Sequence, residues 1–170
     1  MRTSLLLSVI FAVSFLSCKK PSAYYNDPST LDEFKFATLS NVSVYDTLPK
    51  KTFNYVSLHQ LNGIKAQYPS GKSTTYFEFE GEASSFLRAI STLPFNTSEV
   101  SDTFCRKIDR PFSLGGKQLL SDKEILAASF FWEIDPVEYT QYECLKGKQR
   151  HTILISNQSG RILHRIESQS

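Results

Sequence analysis

The sequence predicts an α+β domain: a mostly antiparallel β-sheet with a C-terminal β-meander and one principal packed helix. Three observations predict it. Alternating runs at 138–146, 149–156 and 161–167 are separated by Gly147-Lys148 and by Asn157-Gln158-Ser159-Gly160, turn formers that join antiparallel neighbours. Residues 82–93 place Ala83, Phe86, Leu87, Ile90 and Leu93 at three- and four-residue spacing before Pro94, the apolar stripe of a helix lying on a sheet. The composition, 41% hydrophobic with 7 Gly and 7 Pro in 170 residues, suits one globular core and excludes collagen, coiled coil and wholesale disorder.

The N-terminus reads differently from the rest. Arg2 precedes a twelve-residue apolar stretch, Leu5 to Leu16, broken only by Ser8 and Ser14. A helix crossing a bilayer needs about 20 apolar residues, so the run is a signal peptide and not a span. The segment Phe15-Leu16-Ser17-Cys18 resembles a bacterial lipobox, in which a small residue precedes the Cys that becomes the lipidated N-terminus. It departs from the commonest pattern at Phe15 and Leu16. Cleavage after Ser14, with Ala12 and Ser14 as the small residues, is the competing reading.

The lipobox resemblance implies a signal peptide over 1–17 and a lipidated Cys18; the polar composition after it reads as a tether, so that 18–29 is lipidated Cys and tether, and length and composition suit a single globular domain over 30–170. Two or more palmitate-type chains anchor stably where one is marginal. Lys19 follows the Cys; since Asp at this position retains a lipoprotein in the inner membrane, Lys19 points to the outer membrane of a bacterial envelope and to the periplasm. The polar stretch 19–29 carries Pro21 and Pro28 and suits a tether.

Three cysteines in an exported chain leave one over. If Cys18 is lipidated, Cys105 and Cys144 remain as a natural disulfide pair, worth about 3–4 kcal/mol in the chain-entropy model. Two unlinked buried thiols are the alternative.

Along the domain, Thr30 with Glu33 fits a capping box and a helical turn near 31–36, and Val42, Val44 and Leu48 suggest strand. A strand over 52–58 and a turn at Tyr68-Pro69-Ser70-Gly71 follow. Residues 74–80 alternate Phe77 and Phe79 against Tyr76, Glu78 and Glu80, which predicts a strand with one wet face. Residues 94–120 read as irregular, pinned by Cys105. Ser121 and Glu124 form a second capping box, and Ala128 to Ile134, with Phe130, Phe131 and Trp132, reads as a buried strand ended by Asp135-Pro136.

Turn geometry sets the register of the C-terminal strands. Pairing Ser156 with Arg161 sets Ile155 opposite Ile162, Ile153 opposite His164, His151 opposite Ile166 and Arg150 opposite Glu167. Pairing Lys146 with Gln149 sets Cys144 opposite His151 and Tyr142 opposite Ile153. One face then collects Tyr142, Cys144, His151, Ile153, Ile155, Ile162, His164 and Ile166, a core face that a one-residue slip would turn outward.

Candidate chemistry is sparse. Gly71-Lys72-Ser73 has the tail of a P-loop, but Ala66 stands where its first glycine belongs and a strand follows at once, so it is a hairpin turn. There is no Gly-x-Ser-x-Gly elbow, and the Ser17–Lys20 spacing straddles the cleavage point. His151 and His164 lie diagonally on one face as weak metal candidates, yet isoleucines surround them and no Asp or Glu shares the face, so no metal is expected. His59 stands alone. Glu78 with Glu80, and Glu133, Asp135 and Glu138, read as solvated faces and turns. Asn41, Asn96 and Asn157 head glycosylation sequons, which matter only in a eukaryotic secreted chain. Tyr24, Tyr25 and Tyr139 are possible contact residues.

The formal charge is +2, and beyond residue 17 the balance is 18 basic to 17 acidic, which provides no nucleic-acid footprint. The expectation is a membrane-anchored, non-catalytic binding or assembly module without a cofactor, partnered by an envelope protein or polymer. The alternatives are an exported hydrolase using a histidine and a secreted glycoprotein.

Overall fold

The structure is a computed structural model and describes residues 33–48, 56–57, 62–92 and 105–168. A 3-10 turn over Glu33–Phe36 leads into β1 (Thr38–Ser43) and a single helical turn, α1 (Val44–Thr47). Then come β2 (Val56–Ser57), β3 (Asn62–Gln67), β4 (Ser73–Gly81), helix α2 (Ala83–Thr92) and β5 (Cys105–Ile108). A 3-10 stretch, Leu114–Leu119, precedes α3 (Asp122–Ala127) and α4 (Ser129–Trp132). A last 3-10 turn, Pro136–Glu138, opens the run β6 (Tyr139–Lys146), β7 (Gln149–Ser156) and β8 (Arg161–Ser168). The strands form one sheet in the order β1-β3-β4-β8-β7-β6-β5, with β2 adding to β4, and the described pairings are all antiparallel. The class is α+β and mostly sheet.

The register of β6, β7 and β8 follows from their turns. Ile155 pairs with Ile162, Ile153 with His164, His151 with Ile166 and Cys144 with His151. Gly147, at φ 54°, supplies the left-handed position that the first of these hairpins needs, and Gly71, at φ 86°, does so between β3 and β4. Odd positions of β7 and even positions of β8 therefore bury the isoleucines together.

Both faces of the central sheet are covered. On one face α2 lays Phe86 and Ile90 on Phe77, Phe79, Ile153, Ile155, Ile162 and Ile166, which with Val44 and Leu48 from the α1 segment make the first core. On the other, Phe112, Ala128, Phe131 and Trp132 pack on Tyr76, Tyr139, Leu154 and Leu163. Each large buried side chain contributes about 1.5–3 kcal/mol. Gly63 of β3 sits against the Phe77 ring, where a Cβ would collide with ring and Tyr76 carbonyl alike.

This second layer corrects several expectations. The β4 face carrying Tyr76 is not wet: Tyr76 is 1% exposed beneath the aromatic layer. Ala128 to Ile134 is not a strand but largely α4, because one helical turn sets Phe131 and Trp132 down on the sheet and overrides their strand propensity. Val44 belongs to α1, capped by Ser43, whose hydroxyl accepts from the Tyr45 amide. Residues 94–120 are not uniformly irregular, since β5 pairs with β6 and Leu114–Leu119 is 3-10. The strand β3 has no counterpart among the expected elements. Of the strand expected at 52–58, only Val56–Ser57 lies within the described residues, as do none of Cys18, the tether tyrosines Tyr24 and Tyr25, His59 and Asn96.

Candidate functional site

The sheet alternation that buries isoleucines under α2 turns Thr74, Tyr76, Leu163, Arg165 and Glu167 to the opposite face. Register sets Tyr76 beside Arg165 and Thr74 beside Glu167. The layer above contributes Trp132 from α4 and Glu124 from α3. Ser121 caps α3, its hydroxyl accepting from the Glu124 amide at 3.2 Å. The Glu124 carboxylate does not close the capping box. It reaches into the sheet instead, where Oε1 accepts from the Tyr76 hydroxyl at 2.7 Å and from the Tyr68 hydroxyl at 2.8 Å. Thr74 stands 3.2 Å from the Tyr68 oxygen.

Electrostatics follow from burial. Glu124 is fully buried, and desolvation raises its pKa, an effect opposed by the two phenol hydrogen bonds and by Arg165. Tyr68 and Tyr76 are pushed up, by burial first and by the Glu124 charge second. The Arg165 guanidinium lies 5.5–5.9 Å from the ring centroids of Trp132, Phe131 and Phe112 and 3.0 Å from Glu167 Oε2, held by cation–π and ionic contacts together. Above these groups opens a half-enclosed cavity of about 80 Å³, bordered by Tyr68, Tyr76, Leu120, Trp132, Arg165 and Glu167. Trp132 borders it, and its indole Nε1–H is buried without a hydrogen-bond partner.

The histidine pair lies on the other face. His151 Nδ1 and His164 Nε2 are 2.9 Å apart, the rings stacked with centroids at 5.1 Å, and neither residue is exposed. Phe86 of α2 stands edge-on to His164. Burial, then the Lys146 charge, pushes His151 down to about 4; burial and then His151 hold His164 well below the usual range. Two neutral rings sharing one hydrogen bond, sealed by isoleucines and phenylalanine, have no route to a substrate. Among the described residues no group of three or more His, Cys, Asp or Glu is disposed to hold a metal ion.

Cys105 and Cys144 are directly opposed on β5 and β6 and form a disulfide. Gly71, Lys72 and Ser73 turn the β3–β4 hairpin, the Tyr68 amide donating to the Lys72 carbonyl. Glu78 accepts from Arg161 Nε at 2.5 Å, and Glu80 is exposed. Glu133, Asp135 and Glu138 lie on the surface, with Asp135 capping the turn at Val137. Tyr139 is not a free contact residue: its ring is buried and its hydroxyl accepts from Arg161 at 3.0 Å. Asn41 and Asn157 are both exposed, and the Asn157 side chain is tied to Thr140 and to the Val137 carbonyl.

No family model, curated protein or solved structure matches the chain. Function is read from its own residues. Sequence reasoning missed Tyr68, Tyr76, Glu124, Trp132, Arg165 and Glu167 as one site. They come from the β3–β4 hairpin, α3, α4 and β8, which no local pattern in the sequence links.

Proposed function

We propose that the chain is a lipid-anchored protein of the bacterial envelope whose domain is a non-catalytic binding or assembly module, carried from the outer membrane on the 18–29 tether. The Cys105–Cys144 bond carries this reading. It takes up two of the three cysteines and leaves Cys18, at the lipobox position, as the odd one. The C-terminal meander with α2 packed on it supplies the rigid body that the tether would present. The sealed, neutral histidine pair disfavours the histidine hydrolase, and the half-enclosed cavity on the opposite face favours binding.

The test is the intact mass of the full chain expressed in a bacterial host, with and without reductant and alkylation. Expected is residues 18–170 plus diacylglyceryl and acyl groups, gaining two alkylations only after reduction. A chain cleaved without lipid overturns the anchor and brings forward the freely secreted readings.

A further inference from the structure

An edge strand is a template for another strand unless charge, proline, a bulge or a cover blunts it. The described sheet has two edges, β1 and β5, and they differ. The β5 edge carries Arg106 and Lys107, two exposed cations in four residues, and is tied to β6 by the Cys105–Cys144 disulfide. The β1 edge, Thr38-Leu39-Ser40-Asn41-Val42-Ser43, holds neither a charge nor a proline. Its register on β3 runs unbroken from Thr38 opposite Gln67 to Ser43 opposite Asn62, so no bulge turns it away. Among the described residues β1 pairs with β3 alone, and Thr38, Ser40 and Asn41 are exposed.

The ends of β1 decide what the edge fits. Lys35 and Phe36 precede the strand and Tyr45 and Asp46 follow it, all four exposed, with Phe36 at 70% and Tyr45 at 47%. Each end thus presents one aromatic ring and one charge, and the two charges are opposite in sign. A second copy of β1 laid antiparallel on the first brings Lys35 and Phe36 of each chain alongside Tyr45 and Asp46 of the other, so the surface is complementary to itself.

Facing residues of an antiparallel pair share a sheet face, so the two-fold axis must pass through a residue. Ser40 is the poorer centre, because Lys65 stands beside it on β3 and the pairing would flank the axis with two such cations. Asn41 stands beside Ile64 instead. On the axis its amide can donate to and accept from the same amide of the second copy, while Leu39 faces Ser43 and Ser40 faces Val42 of that copy. We infer that two copies of this chain pair antiparallel through β1, about Asn41, and continue one sheet across both. Five residues a side make a small interface beside the roughly 1,200–2,000 Å² of a stable one, so this dimer exchanges with monomer. The inference goes beyond the anchored-module reading and does not depend on lipid at Cys18.

The full chain is sedimented at rising concentration in detergent matched in density to the solvent, so that protein mass alone is read. The expected result is a reversible monomer–dimer equilibrium. Asn41→Lys and Asn41→Glu each set like charges against each other on the axis, and each should raise the dissociation constant about tenfold or more. An equal mixture of the two variants opposes unlike charges and should dimerise at least as well as the native chain. Asn41 is exposed and its neighbour on β3 is apolar, so both variants should keep the native urea midpoint. A native chain that stays monomeric overturns the inference and leaves this edge to a strand of another protein. Dimers that persist in both single variants, or a mixture that associates no better than either variant alone, overturn it as well. The anchor is decided separately, by the intact mass.

Discussion

Glu124 and the histidine pair show how much a single buried group depends on what surrounds it. Glu124→Leu would leave the buried Tyr76 hydroxyl without its acceptor, at about 1–3 kcal/mol, while the Tyr68 hydroxyl keeps Thr74. Urea unfolding should show that loss, whereas Glu124→Gln keeps one oxygen for both phenols. Because the folded pKa of Glu124 is raised, the folded state holds its proton longer than the unfolded state, and native stability falls as pH rises above the ordinary carboxylate value. Glu124→Gln should therefore gain on the native chain between pH 4 and pH 7; a constant difference would exclude the linkage. The histidines have the opposite sense. Their folded pKa values are depressed, so the unfolded chain takes up protons first as pH falls below 6.5. Stability should drop by up to about 1.4 kcal/mol per pH unit per histidine from there toward 4, where His151 titrates in the folded state. A double variant, His151→Leu with His164→Leu, removes both partners together and should flatten that slope in urea midpoints taken from pH 7 to pH 5. The histidine contact was legible because hairpin turns set its register. The Glu124 site was not, since its hydroxyl partners lie 48 and 56 residues away and locally Ser121-x-x-Glu124 has the form of a capping box.

At the scale of elements, the sheet edge formed by β5 depends on the disulfide. Among the described residues β5 pairs only with β6, over four residues, and Arg106 and Lys107 on it are exposed, so little apolar burial holds it. Replacing Cys105 and Cys144 together by Ala should cost about 3–4 kcal/mol, the chain-entropy value for closing a loop of this length. Hydrogen exchange should show the amides of 106–108 losing protection while β7 and β8 keep theirs; equal loss across the sheet would mean that the bond supports the whole body and not its edge. Helix α2 and strands β6 to β8 were readable because their periods are unmixed, near four residues in one and two in the others. The Ser121 cap that opens α3 is legible locally, whereas α4 reads as strand because Phe130, Phe131 and Trp132 are consecutive, and a short apolar run carries no period. What makes it a helix is the Ala128 turn and the need to seat Phe131 and Trp132 against Tyr76.

For the molecule as a whole, the last strand in sequence is central in space. β8 lies between β4 and β7 and so joins the N-terminal strands β1, β3 and β4 to the C-terminal strands β7, β6 and β5. A chain ending at Gly160 lacks the partner of both β4 and β7 and should show no cooperative unfolding by circular dichroism, while a cooperative transition would mean that one half of the sheet is stable alone. The long sequence separation between β4 and β8 also places folding among the slower, non-local topologies. The sequence by itself determined the local facts: the C-terminal turns and their register, the helix stripe at 83–90, the cysteine pair and the isoleucine face. These depend on neighbours a few residues apart, whose geometry is set by period and turn chemistry. Only the tertiary structure decided that the other face of the sheet is covered, because a strand's alternation says which side chains share a face and not what will lie over it. The same packing brought Glu124, Tyr68, Trp132 and Arg165 from four separate segments to one place.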